Sequence, residues 1–246
     1  MNLTKKELLY INKSFYNNYA EDFSKTRDNV WKSFYKLKDY VNRNDSILDI
    51  GCGNGRLASL FDENEYLGVD FSQNLIDIAQ SKYENKKFLV KDVTEKGWFN
   101  DIGTFNKIFA IAIIHHIPSY DLRLNFFKDV YKILKKRGFF IFSCWDFSYK
   151  KDLRSIGDND FLMNWKDESN ARYIHLYSQE SIKNELEGKI KLIESYNPIN
   201  LLSKGYSIVY KNGKILKDIE SLNINDIIKI KLSKGTLKSK IIDKNE

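Results

Sequence analysis

Cysteine and histidine are scarce, with two and three residues in a chain of 246. Cys52 and Cys144 cannot build a disulfide framework at this length, and they fit a reduced interior. The histidines, His115, His116 and His175, make a poor metal set. His115 and His116 are adjacent, so their rings usually diverge, and no cysteine lies nearby. No metal site is expected. Long apolar runs are also lacking: none approaches the roughly 18–20 residues of a membrane span. The start, "MNLTKKELLYINKSFY", has no continuous apolar stretch of the kind a secretion signal needs. No membrane partner is expected, and the cytoplasm is the expected location. No internal repeat is visible.

What is present is a foldable core. Hydrophobic residues make up 42 % and aromatics 14 %, which argues against wholesale disorder. The length suits one sizeable domain with a small appendage. Lys plus Arg number 40 against 33 Asp plus Glu, a net charge of +7. That surplus favours a polyanionic partner.

Residues 1–42 read as helical, with Leu8, Leu9, Phe15, Tyr16, Tyr19 and Phe23 at helix-like spacing, then "NVWKSFYKLKDYV". From residue 44 to 145 the texture changes to alternating strands and helices. "SILDI", "EYLGVD", "KKFLVKD", "FNKIFAIAII" and "GFFIFSCW" are predicted strands. "GRLASLF", "SQNLIDIAQSKY" and "LRLNFFKDVYKIL" are predicted helices, Ser72 capping the second. The fold class is α/β, a Rossmann-like parallel sheet with flanking helices. Such sheets bind ligands beyond the carboxyl ends of their strands. Asp49, Asp70, Asp92 and His115 all fall at such ends. Residues 146–180 are less regular, and 146–194, the expected substrate segment, completes a first domain, 1–194. Residues 195–246 form a basic, β-rich tail with two predicted hairpins, one turning at Asn212-Gly213 and one around Gly235. The tail carries ten Lys against five Asp plus Glu.

"LDIGCGNG" raises the question of ligand. A dinucleotide loop needs G-x-G-x-x-G to seat its pyrophosphate. Here Gly51, Gly53 and Gly55 alternate after Asp49. An acid beside the loop repels a pyrophosphate but welcomes an ammonium, and S-adenosylmethionine carries an ammonium and no phosphate. Asp70 can accept from both ribose hydroxyls, and Asp92 can meet the adenine amino group. The three glycines let backbone approach the cofactor without Cβ collisions. A loop that merely turns the chain is the bland alternative. A nicotinamide-dependent dehydrogenase is disfavoured by the spacing and by Asp49.

"LDIGCGNG", "LGVDFS" and "KDV" resemble the cofactor-binding motifs of class I S-adenosylmethionine-dependent methyltransferases. The resemblance covers residues 44–145 and implies a cofactor set of Asp49, Gly51, Gly53, Gly55, Asp70, Asp92 and Ile113. A narrower resemblance joins "DFSKTRDNVW", "FAIAIIHHIPS", "LKKRGFFIFSCW" and "NARYIHLYSQESI". These segments resemble tRNA methyltransferases that esterify the carboxymethyl group on a wobble uridine. The family's Thr-Arg, His-His and Arg-Tyr-x-His elements stand here as Thr26-Arg27, His115-His116 and Arg172-Tyr173-His175. The resemblance implies tRNA as partner, with a small activator subunit as a further expected partner. It points to Arg27, His116, Arg172 and His175 as the catalytic set.

The chemistry suits those residues. A carboxylate nucleophile is already ionised at pH 7, so alignment rather than a strong base is required. Arg27 or Arg172 could hold it through a fork, or His116 or His175 through one donor. Tyr173, Trp165 or Trp145 could stack a flipped-out base. The bland alternatives are a packed His115, a core Trp145 and an Arg27 paired with a surface acid. Two other functions stay open: a small-molecule carboxyl methyltransferase, and a non-catalytic nucleic-acid-binding module.

Residues 197–242, from "NPINLLSKGYSIVYKNGKILKD" onward, resemble the C-terminal segment of the exodeoxyribonuclease VII large subunit. The nuclease's catalytic part has no counterpart here. "KIKLIESY" and "GYSIVYK" read alternatively as the last two strands of the main sheet. The tail's charge could grip phosphates or simply be a solvated surface.

Overall fold

The computed structural model describes residues 3–145, 153–165, 167–178, 180–183, 207–216, 218–232 and 234–244. The chain divides into two compact units, Met1–Ile182 and Lys183–Glu246. The expected boundary at 194/195 lies outside the described residues, as does "KIKLIESY".

The first unit opens with helix α1 (Lys5–Asn18). Thr4 caps it through a reciprocal capping box with Glu7, whose carboxylate accepts from the Thr4 backbone N–H at 2.7 Å. Its buried face is Leu8, Asn12, Phe15 and Tyr16, the stripe that helical periodicity dictates. Helix α2 (Ala20–Lys25) follows. "NVWKSFYKLKDYV" differs from expectation: it is a 3-10 helix over Lys32–Tyr40, burying Leu37 alone. "GRLASLF" is likewise a 3-10 turn, Arg56–Leu60, not an α-helix.

The central sheet is all parallel, in the order β3-β2-β1-β4-β5. Its strands are β1 (Ile47–Ile50), β2 (Tyr66–Asp70), β3 (Lys87–Val90), β4 (Phe105–Ile111) and β5 (Leu134–Ser143). Helices α3 (Gln73–Lys82) and α4 (Tyr120–Ile133) are the crossovers, and Ser72 caps α3 as expected. Ile47, Leu48 and Ile50 are fully buried, each worth about 1.5–3 kcal/mol of apolar transfer. Sheet order reverses at β1, whose neighbours are β2 and β4, so the cleft of such folds opens there. Two strand limits move. β4 stops at Ile111, and the His115–His116 pair sits in a separate 3-10 turn, Ile114–His116. β5 starts early, at Leu134, because a register shift between Phe105 and Lys107 takes up the following residues.

The segment expected to be irregular is a three-stranded antiparallel sheet. It comprises β6 (Leu153–Ser155), β7 (Asp160–Trp165) and β8 (Asp167–His175). Leu8 of α1 packs with Leu162 and Tyr173 in one cluster. Met163 and Ile174 pack with Trp145 in another. Adjacent residues on β7 and on β8 are therefore both buried, and the polar–apolar alternation that announces a strand is absent.

The second unit is a four-stranded antiparallel sheet, order β10-β9-β11-β12. It holds β9 (Ile208–Lys211), β10 (Lys214–Ile215), β11 (Ile227–Lys231) and β12 (Thr236–Lys240). Both hairpin expectations match. Asn212 and Gly213 have φ of 50° and 79°, the positive pair a type I′ turn needs. "SIVYK" pairs with β10 and β11, so its reading as a strand of the main sheet is corrected.

Candidate active site

The glycine loop after β1 is built for close approach. Gly51, Gly53 and Gly55 have φ of 67°, 56° and 76°. At Gly51 a Cβ would sit 1.9 Å from Cδ1 of Ile113, so only glycine fits beneath that side chain. The loop floors a cleft of about 770 Å³. Asp49, Gly51, Gly53, Asp70 and Ile113 line it together.

Asp70 ends β2, and its carboxylate accepts the backbone N–H of Gly53 at 3.0 Å and of Ser72 at 2.9 Å. Each oxygen retains accepting capacity toward the cleft. Burial raises its pKa to about 6, and the two backbone donors oppose the shift. Asp49 accepts the hydroxyl of Tyr66 at 2.5 Å. Burial pushes Asp49 up to about 7, against the pull of Tyr66 and of nearby Arg56. When ionised, the two acids give this wall the negative charge that a cationic ligand would meet.

Asp92 sits in an adjoining hollow, near enough for its charge to raise the pKa of Asp70. It binds Lys13 Nζ at 2.6 Å and accepts from Thr94, lining a second hollow that shares only Phe71 with the cleft. Gly55 caps the 3-10 turn behind the loop; a Cβ there would meet Ala79 and Phe88 at 3.0 Å.

The opposite wall is aromatic and basic. Arg27 lines the cleft with its guanidinium 3.8 Å from the centroid of Phe23. Burial lowers its pKa to about 10, still fully charged at neutral pH. Arg172, on β8, is one residue back. Its Nη1 donates to the Tyr16 hydroxyl at 3.4 Å, and Phe15, Trp145 and Trp165 surround it at 5.1–5.3 Å. It is 3 % exposed and its Nε has no hydrogen-bond partner. Among the described residues, neither Arg27 nor Arg172 has a carboxylate within ion-pair distance.

His116 lines the cleft with both ring nitrogens engaged. The Tyr16 hydroxyl meets Nε2 at 2.9 Å, and Nδ1 lies 2.8 Å from the Tyr173 carbonyl. A carbonyl only accepts, so Nδ1 carries the proton and Nε2 accepts from Tyr16. Burial and Arg172 lower its pKa to about 3, so the ring is neutral. The structure does not bring His175 to the cleft. It pairs across strands with Asp160 at 2.7 Å and packs on Tyr177. His115 is buried beside Trp145, whose backbone N–H reaches its Nδ1 at 3.4 Å, and Trp145 itself lines the cleft.

Three contributors were not read from sequence. Asn12 locks α1 to β8: its side chain accepts the Tyr173 N–H at 2.7 Å and donates to the carbonyls of His116 and Tyr173. Tyr16, one turn on, carries the hydroxyl shared by His116 and Arg172. For Asn12 the signal was a polar residue inside an apolar helical stripe; Tyr16 gave none. Arg56, directly after Gly55, lines the cleft over Trp31 at 4.3 Å and Phe34 at 5.1 Å. Its place beside the glycine loop was the available clue.

The family described as "Methyltransferase domain" matches residues 23–188. The chain belongs to this family. Methyltransferase-family relatives agree. "Putative methyltransferase" of Encephalitozoon cuniculi is 31 % identical over 68 % of this chain and 80 % of that protein. The tRNA (carboxymethyluridine(34)-5-O)-methyltransferase of Saccharomyces cerevisiae is 28 % identical over 57 % of this chain. Its namesake in Arabidopsis thaliana is 28 % identical over 53 %. The match spans 50 % and 31 % of those two proteins, less than two thirds of either. A solved S-adenosylmethionine-dependent methyltransferase from Clostridium acetobutylicum shares the fold at TM-score 0.51 and 20 % identity. It covers 71 % of this chain and 87 % of that one. The DhpI–SAM–HEP complex does so at TM-score 0.58 and 17 % identity, covering 76 % and 90 %. The family match ends before the second unit begins its first described strand.

Proposed function

We propose that the chain transfers a methyl group from S-adenosylmethionine to a carboxylate, and that the carboxylate is the carboxymethyl group of a wobble uridine in tRNA. The observation that carries the reading is the arginine pair: Arg27 on the cleft wall and Arg172 behind Tyr16, neither ion-paired among the described residues. Burying an uncompensated guanidinium is costly unless an anion completes it. A carboxylate substrate supplies that anion, and the two tRNA relatives act on one by their names.

The residues present fit the cofactor. The cradle beneath Ile113, the pinned Asp70 and the buried Asp49 suit a cationic nucleoside; bound, it supplies an electrophilic methyl on sulfur. Asp70 would accept from the ribose hydroxyls and Asp49 would face the ammonium side. Arg27 would grip one carboxylate oxygen and leave the other to attack. Arg172, acting through Tyr16, is a positioning residue that adds positive potential without quenching the nucleophile. His116 fixes the Tyr16 hydroxyl. Trp145 offers a face on which an extruded base can stack.

The test is nucleoside mass spectrometry of tRNA carrying carboxymethyluridine, after incubation with the purified chain and S-adenosylmethionine. Conversion of carboxymethyluridine to its methyl ester is expected. Methylation of other nucleosides with carboxymethyluridine intact would overturn the reading.

A further inference from the structure

The second unit has two unlike faces. Directly paired residues on antiparallel strands share a face. Lys229 pairs with Tyr210 and Lys238, Lys231 with Ile208 and Thr236, and Ile227 with Lys240. One face therefore presents Tyr210, Lys229, Lys231, Lys238 and Lys240 together with Ile208, Ile215 and Ile227, and no acidic residue. All four lysines are exposed, and none has a carboxylate partner among the described residues. The other face differs. It carries Lys211, which bonds Asp226 at 2.5 Å and the Ser221 carbonyl at 2.7 Å, and buried Ile228. The Lys211–Asp226 ion pair thus lies off the lysine face. Tyr210, Lys229, Lys231 and Lys238 line one shallow groove with Thr236.

We propose that this face binds single-stranded RNA, with the four lysines on phosphates and Tyr210 stacked on a base. Four cations that repel one another across adjacent strands lower stability until a polyanion neutralises them. Lysines at alternate positions stand about 6.6–6.8 Å apart along a strand. An aromatic ring set among phosphate-binding cations is the arrangement that holds single strands without sequence preference. Tyr210 pairs directly with Lys229, so an aromatic ring stands among four cations that outnumber the exposed Ile215 and Ile227, which favours nucleic acid over a membrane surface. The inference stands apart from the carboxylate reading, since it needs no carboxymethyl group.

Fluorescence anisotropy of the full chain with a labelled oligouridine 12-mer tests it, across a series of salt concentrations. Unmodified uridine keeps the outcome independent of the methyl-transfer reading. The variant K229A/K231A/K238A/K240A changes exposed residues only. It should bind at least ten-fold more weakly, and the slope of log K against log salt should shrink by about 2–3, at roughly 0.7 per phosphate contact. Y210A should lose about five-fold or more at an unchanged slope. Unchanged affinity and slope in the lysine variant would overturn the proposal. So would tighter binding to polyglutamate, or to phosphatidylserine vesicles, than to the oligouridine. Melting of the lysine variant at or above that of the parent, as relief of the repulsion predicts, shows that the fold is not the cause.

Discussion

The Tyr16 hydroxyl donates to Nε2 of His116 at 2.9 Å while accepting from Nη1 of Arg172 at 3.4 Å. One phenol thus joins the neutral histidine of the cleft wall to a buried cation. His116 then serves as a fixed acceptor rather than a proton carrier. Its pKa of about 3, against an ordinary 6.5, means the unfolded chain binds a proton that the folded chain refuses. The stability this neutral ring contributes is full above pH 6.5 and is lost as pH falls toward 3. The imidazole nitrogen signals of His116 should show the Nδ1–H tautomer unchanged between pH 5 and 8. Titration within that range would contradict the placement.

Asp49 and Asp70 carry the opposite sign. Their pKa values of about 7 and 6 exceed the ordinary 3.8, so the folded protein holds protons that the unfolded chain has released. Their contribution is full below pH 3.8 and is lost as pH rises through 6–7. A cationic cofactor prefers both ionised. S-adenosylmethionine should therefore bind more tightly as pH rises from 6 to 8 and release protons near pH 6.5. Calorimetry in buffers of different ionisation enthalpy reads that release; a pH-independent affinity contradicts it. D70A should lose ten-fold or more, since charged hydrogen bonds are worth roughly 1.5–3 kcal/mol each.

Gly51 tests the cradle. G51A meets Ile113 at 1.9 Å in a left-handed backbone conformation at φ 67°. The conformation alone costs about 1–2 kcal/mol, so melting should drop by several degrees. G51A/I113A relieves the clash and should recover only part of that loss. Melting equal to the parent in G51A would show that the loop is looser than described.

Arg172 separates function from stability. R172M keeps bulk and removes an uncompensated buried charge, a change that is often neutral or stabilising. Methyl transfer should fall at least ten-fold while melting is unchanged or higher, and cofactor affinity should stay within about three-fold. A destabilised R172M with a normal transfer rate would make Arg172 a structural group.

The sheet was legible because its strands are apolar runs, and two of them bring an acid to the cleft, Asp49 near the end of β1 and Asp70 at the end of β2. The glycine loop was legible because its spacing has few physical uses. The three-stranded sheet was not: Leu162 with Met163 and Tyr173 with Ile174 are adjacent buried pairs, which erase alternation. The positions of Asp92 and His175 were also hidden. Each is decided by a partner distant in sequence or across a strand, Lys13 for one and Asp160 for the other. Nothing local to "KDV" or "RYIH" reveals those partners. Tyr16 looked like one more apolar helical residue, and only its hydroxyl's destination distinguishes it.

Methylation of a carboxylate makes an ester, and esters differ from N- or C-methyl products in their lability to base. The most direct measurement is therefore the fate of a radiolabelled methyl group after transfer to tRNA. Brief mild alkali should release nearly all of it as volatile methanol, and R27A should lower the amount transferred at least ten-fold with cofactor affinity little changed. Label that stays on the tRNA through alkali would contradict carboxylate methylation.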